Sequence, residues 1–316
     1  MARSDTAVID LRLDDGREHR RSMFSDVFHR LVREKPLGFF GALLVVFFFM
    51  LAAGAPWIAP HGPNELGAGP RLSDPTLQNI MGTDNLGRDT FSRVVHGARV
   101  SLTIGFVAIL ISTTISLTIG VLSGYFGGLI DILWQRLVDA FIAFPGLVLI
   151  IAVGAIFRDS TIPGFPDSGV FHSQNVILAA TIGMLLGVGS SRIIRSAALS
   201  VKSQPFIEAS RATGATHARV ILVHMLPNVM APVITLATLG LGTAILLESS
   251  LSFLGLGVPP DTATWGGMLN REARTFMSQN PWLAIFPGLA LSLVIFGFNM
   301  LGDALRDLLD PRLRTG

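Results

Sequence analysis

The 316-residue sequence contains no cysteine, so disulfides and thiolate metal centres are excluded. Lysine is almost as scarce: only Lys35 and Lys202 occur. Neither completes G-x-x-x-x-G-K-[ST], because Glu34 precedes one and Val201 the other. No phosphate-cradling loop of that kind exists here, and if ATP drives this protein another chain binds it. Seven histidines are scattered, with no H-E-x-x-H and no pair at i, i+4, which argues against a zinc site. A G-x-S-x-G nucleophile elbow is also absent. Charged residues make up 15% of the chain, against about 25% in soluble domains. That deficit points to a membrane protein.

Half of the residues are hydrophobic, and they are gathered into runs. Six runs approach the ~20 apolar residues that a transmembrane helix needs. They cover residues 39–58, 101–126, 133–157, 176–198, 229–256 and 282–301. No histidine lies in any of them, which disfavours an intramembrane enzyme built on a nucleophile–base pair or a metal cluster. Residues 1–37 are polar and Arg-rich, and the first apolar run begins too late for a cleavable signal peptide. With the N-terminus inside, 17 of the 24 Lys and Arg fall in cytoplasmic segments and 7 outside. Cytoplasmic loops favour these residues, so both termini are expected inside.

The longest outer segment, residues 59–100, opens Pro/Gly-rich. Leu86, Phe91, Val94, Val95 and Ala98 then recur at helical spacing, predicting a short amphipathic helix before the second span. Glycines punctuate the spans at 183, 187 and 189, and again at 240, 242, 255 and 257. Such residues serve close helix packing, or line a pore or a sliding subunit seam.

The stretch "FIEASRATGATHARVILVHMLPN", residues 206–228, interrupts this apolar chain with charge. Pro205 suits a first helical turn, and residues 206–213 follow as a helix. Gly214 fits a left-handed helix end. Residues 215–225 form a second helix, which Pro227 is expected to stop. Glu208 and Arg211, three apart, can pair with each other or with a partner's charges. Small residues on an exposed helix allow close docking into another protein, or simply rest on the membrane surface.

This stretch resembles the "EAA" loop of ABC importer permeases. It reads Glu208-Ala209-Ser210, then Gly214, then His224-Met225-Leu226-Pro227-Asn228. Ser210 replaces the usual alanine, and the H-x-L-P-N form resembles the dipeptide/oligopeptide/nickel branch. Residues 82–102, 136–147, 247–260, 265–269 and 299–314 resemble further motifs of that branch, in order.

The resemblance implies an all-α membrane protein with six transmembrane helices and a cytoplasmic coupling helix. It implies a permease subunit moving peptides or similar small solutes across the bacterial inner membrane, not itself an enzyme. The partners it implies are a second permease, two cytoplasmic ATP-binding subunits and a periplasmic or lipid-anchored substrate-binding protein. Membrane lipid surrounds it, and neither a cofactor nor a nucleic acid is expected. The ATPase-coupling element would comprise Glu208, Ala209, Ser210, Arg211, Gly214, Ala215, His224, Leu226 and Pro227. On this reading residues 1–37 are a cytoplasmic tail and 38–100 the first span with its periplasmic loop. Residues 101–305 form the core, with the coupling loop at 204–228, and 306–316 form a second tail. The alternative is a stand-alone secondary transporter or channel, but no inverted repeat or half-helix signal is evident.

Other charges carry weaker expectations. Glu248, with Ser249 and Ser252, lies deep in an apolar run. It faces the translocation path or the partner permease, or else forms a hydrogen bond between helices. Arg136 and Asp139 can pair at i, i+3, with Trp134 as an interfacial anchor. Arg192 and Arg195 satisfy the inside charge bias. Asp303, Arg306, Asp307, Asp310 and Arg312 form a charged cap broken by Pro311.

Overall fold

The structure, a computed structural model, describes residues 23–157, 160–166 and 169–309. Residues 1–22 of the tail, Arg158, and Asp310, Pro311 and Arg312 of the charged cap lie outside these. Among the described residues every regular element is helical, and no strand forms.

Helix α1 (Met23–Glu34) precedes the first long helix, α2 (Pro36–Ala53), and a short α3 (Ala55–Ile58). Thus the segment expected as a tail contains a helix, and its Leu31 is buried against Ala304 and Leu308. Pro36 opens α2, where a missing N–H costs nothing.

Helix α4 (Thr90–Phe126) follows a long loop, and Asp89 caps it by accepting from Ser92 N at 2.8 Å. Its 37 residues span about 55 Å at 1.5 Å each, well beyond a hydrocarbon core. The amphipathic helix expected before residue 101 is therefore the first part of the same rod. Nothing breaks it, so the division expected at residue 100 falls within α4. Leu86, counted in that amphipathic pattern, lies in the loop before the cap.

The third span is not one helix. Helices α5 (Gly128–Ile142) and α6 (Gly146–Ile156) are bent by 81° at residues 143–145. The Phe144-Pro145-Gly146 sequence explains the break: Pro145 removes a backbone donor and biases its predecessor away from helix. Helix α7 (Ser173–Lys202) then packs along α4. A Cβ placed on Gly183 would lie 2.5 Å from the Ala108 carbonyl, and one on Gly187 2.7 Å from the Ser112 carbonyl. Close approach at this seam requires glycine, whereas Gly189 faces open space.

Helix α8 (Pro205–Ala212) and the single turn α9 (His217–Arg219) lead into a π-helical turn, Val220–Met225, and then α10 (Leu226–Phe253). Pro227 does not stop the helix. Immediately before it the backbone widens, and the Leu226 N–H bonds the Ile221 carbonyl five residues back. That wider turn takes up the crowding a proline ring imposes on the preceding turn.

Helix α11 (Trp265–Met268), a second π-helical turn (Leu269–Ala273), α12 (Arg274–Phe276) and α13 (Trp282–Leu309) complete the chain. Five stretches are long and apolar enough to cross a membrane, or six if α5 and α6 count as one broken span. A core of Phe48, Leu102, Ile245, Trp265, Val294 and Phe298 joins α2, α4, α10 and α13. Antiparallel α2 and α13 approach through Gly41, where an added Cβ would meet the Gly297 carbonyl at 2.7 Å. Lys35 Nζ and Asp307 Oδ2 close one end of this pair at 2.5 Å. The pair expected between Arg136 and Asp139 does not form: Asp139 pairs with Arg192 of α7, and Asp131 with Arg195. Trp134 packs beside Ile119, Val138 and Val188.

Candidate functional site

The charged interruption folds as helix, glycine, helix at one end of the bundle. Gln204 is extended and Pro205 begins α8. Gly214 takes φ +83°, and the Ala215 N–H returns to the Ser210 carbonyl at 3.1 Å. That bond satisfies a carbonyl which the helix end would leave free. Thr216 then caps α9 through its hydroxyl, which accepts from Arg219 N.

A small apolar cluster anchors this hairpin. Ile207 is fully buried with Val121, Tyr125, Ile194, Val220 and Met225. Tyr125, at the end of α4, is the only tyrosine in the chain. Its hydroxyl shares a 2.8 Å hydrogen bond with His217 Nδ1, and its ring lies 4.9 Å beneath the Arg211 guanidinium carbon. Such a contact is worth about 0.5–1 kcal/mol where exposed and more when desolvated. No ion pair joins Glu208 to Arg211, because Arg211 is drawn to the tyrosine face instead.

The nine residues expected to couple are brought to one surface but not to one pocket. Glu208, Ala209, Arg211, Gly214 and Pro227 are exposed. Ser210, Ala215, His224 and Leu226 are half-buried. Ala209, Ser210, Gly214, Ala215 and His224 share an open depression of about 540 Å³. Asn228 donates to the His224 carbonyl at 2.7 Å, bracing the turn around Pro227.

Glu248 lies elsewhere, at the interface of α10 and α4, and is fully buried. Its carboxylate accepts from Ser101 Oγ at 3.0 Å, Ser249 Oγ at 3.2 Å and Ser252 Oγ at 2.8 Å. Ser249 and Ser252 are buried too.

At the opposite end of the bundle, a network unforeseen in the sequence clasps the loop of residues 59–89. Arg88 Nε donates to Asp84 at 2.6 Å, and its Nη2 to Glu272 at 2.8 Å. Arg93 Nη2 reaches the same Glu272 oxygen at 3.0 Å, and its Nη1 the Pro63 carbonyl. All four charged side chains are buried. Asn280 Nδ2 donates to the Ser73 carbonyl, adding a second tie between loop and core.

Sequence reasoning missed Tyr125, His217 and this clasp. A lone tyrosine at a span end reads as an interfacial anchor, and Glu272 is one acid in a polar stretch. Only folding brings either to its partners.

Comparison with known proteins bears on the same chain. The family model described as "Binding-protein-dependent transport system inner membrane component" matches residues 116–315. A second, "N-terminal TM domain of oligopeptide transport permease C", matches residues 22–86. The dipeptide transport system permease protein DppC of Alkalihalophilus pseudofirmus is 38% identical over 294 residues, covering 93% of this chain and 91% of that protein. The glutathione transport system permease protein GsiD of Escherichia coli O157:H7 is 40% identical over 288 residues, covering 91% and 90%. Among solved structures, the inward-facing MetNI methionine ABC transporter superposes with a TM-score of 0.53 at 21% identity. The match covers 69% of this chain and 96% of that one, and it speaks for the fold alone.

Proposed function

Because this chain belongs to the family of binding-protein-dependent transport system inner membrane components, we propose a specific division of labour within it. It is a multi-pass inner-membrane permease subunit of an ABC importer. Its cargo is a small peptide or a peptide-like solute, in keeping with relatives named for dipeptide and glutathione transport. Family membership leaves no role for a stand-alone secondary transporter. Two ATP-binding subunits, a second permease and a substrate-binding protein complete the assembly.

Both termini lie in the cytoplasm, with α5 and α6 together making a sixth, broken span. The charge asymmetry supports this orientation. Residues 1–37, 204–228 and 306–316 are then cytoplasmic, and the clasped loop faces outward.

Pro205–Asn228 is the element that takes up ATPase motion. The observation carrying this is its two-sided construction. Ile207 and Tyr125 pin one side to α4 and α10, while Glu208, Ala209, Arg211 and Gly214 stay uncovered. A short rigid helix of this kind can report a partner's two-state movement to the spans. Glu248 acts as a hydrogen-bonded junction between α4 and α10, since its carboxylate is fully buried and accepts from Ser101 of α4 as well as from Ser249 and Ser252 of its own helix.

A mild-detergent pull-down of the wild type beside Glu208→Lys and Gly214→Asp tests the coupling role. The wild type should carry both ATPases and the second permease, and the variants should keep the permease but lose the ATPases. Equal ATPase recovery from all three would remove residues 205–228 from that role.

A further inference from the structure

At the outer end of the bundle a cavity of about 450 Å³ opens between the last turns of α6, the first turns of α7 and residues 254–260. Ile150, Ile177, Leu178 and Val258 form its apolar wall. Arg271 and His172 also line it, and no described lining residue is acidic. Arg271 is half-buried, and burial pushes its guanidinium below the ordinary arginine value despite Glu272 and Asp261 nearby.

Arg271 is also held still. It sits on the π-helical turn Leu269–Ala273, directly before Glu272, which the buried arginines grip. Its own Nη1 donates to the Pro260 carbonyl, and the neighbouring Asn270 donates to the Phe253 carbonyl. One end of the guanidinium is thus tied down. The planar fork can still offer donors to an anion, and carboxylates suit that fork best.

We propose that this cavity is a transit subsite for a small peptide, with the peptide's C-terminal carboxylate on Arg271 and the adjoining side chain against the Ile150–Leu178 wall. The volume falls within the roughly 300–1,000 Å³ of small-molecule sites. A cavity with one apolar wall, one fixed cation and no described acid in its lining selects for an anion bearing an apolar group. The proposal rests on the importer reading given above and adds to it a place where this subunit itself contacts cargo. A cavity at this end suits cargo handed over from outside, and a single cation holds it weakly enough to let it move on.

The absence of native cysteine makes a direct test simple. Ala155, on the cavity wall, is changed to cysteine, and the complete transporter is placed in nanodiscs of zwitterionic lipid. Alkylation of this chain by N-ethylmaleimide is followed in resting and vanadate-trapped states. Alanyl-leucine and its C-terminal amide are the probes. Alanyl-leucine should slow alkylation, and the amide should not. Adding Arg271→Gln should raise the half-protecting concentration at least about tenfold, the equivalent of one charge-assisted hydrogen bond, with partial recovery in Arg271→Lys.

Equal protection by peptide and amide, protection by neither, or a thiol that reacts in neither state would each overturn the subsite. Protection that appears only with anionic phospholipid, whether or not peptide is present, would also overturn it and assign the cavity to a headgroup phosphate. ATP-driven uptake by vesicles holding the wild-type transporter reads the importer assignment separately. Uptake without protection sinks the subsite alone, and no uptake at all sinks the importer reading.

Discussion

The two ends of this subunit are held together in opposite ways. At the end we place outside, Asp84, Arg88, Arg93 and Glu272 are removed from water and paired with one another, although Arg93 Nε and Glu272 Oε2 keep no hydrogen-bond partner. At the end proposed to couple, almost every polar side chain of residues 205–219 is exposed, and Ile207, Tyr125 and Val220 do the anchoring. Buried ion pairs tolerate little movement, because losing one partner strands the other in a dry place. Exposed small residues over an apolar hinge tolerate a good deal. The contrast teaches that the clasped loop is built to keep one geometry, whereas the hairpin is left free to be covered and moved, as the proposed coupling requires.

The sharpest way to break that comparison is Glu272→Ala. It would leave Arg88 and Arg93 buried beside each other, and the expected loss is about 3–5 kcal/mol, the usual cost of stranding a buried charge. The thermal midpoint of the detergent-solubilised subunit should fall, and the loop of residues 59–89 should become open to protease. A wild-type midpoint would mean that the clasp contributes little.

Next in size is Tyr125→Phe, which removes only the hydroxyl shared with His217 and should cost about 0.5–1.5 kcal/mol. Hydrogen exchange should rise first in residues 205–219 and leave the outer loop unchanged. A rise at both ends would show that the two regions are not independent.

Smaller still is Glu208→Lys. Its expected effect on unfolding lies within about 0.5 kcal/mol, as for most surface changes, although ATP-driven uptake collapses. A large shift in midpoint would mean that Glu208 is structural. The smallest effect concerns Glu65 in the outer loop. The Gly62 N–H, then His61, hold its carboxyl below the ordinary glutamate value. A depressed carboxyl contributes stability that is present above its unfolded value and lost as pH falls through the folded one. Amides of residues 61–65 should therefore exchange faster in that acid window after correction for intrinsic rates, while those around Glu272 stay protected.

Much of this architecture was legible before folding. Long apolar runs located the long helices, since a membrane core demands uninterrupted apolar length. Gly214 was readable as a left-handed helix end, and the structure gives it that conformation. What stayed hidden depends on context. Pro227 carries a strong stop signal, but a π-helical turn one residue earlier absorbs it, and no local pattern announces such a turn. Residues 133–157 look like a single span because hydropathy is blind to direction, whereas Pro145 decides the bend. The division expected near residue 100 falls inside α4, whose polar start is buried by the loop it helps to hold. Tyr125 and His217 are 92 positions apart, and Arg88 and Glu272 184, so only tertiary structure could pair them.

The turn at Val220–Met225 has a geometric consequence for everything beyond it. It stores one residue more per turn than the helix on either side. Were it to relax into regular α-helix without shedding that residue, α10 would rotate by about 100° relative to the hairpin. Glu248 would then swing away from Ser101 and lose the one hydroxyl of its cradle that α10 does not itself supply, since Ser249 and Ser252 turn with it. The extra residue therefore sets the angular phase of α10, and the bond from Ser101 to Glu248, 23 residues beyond Met225, works as the detent that keeps the dial from slipping.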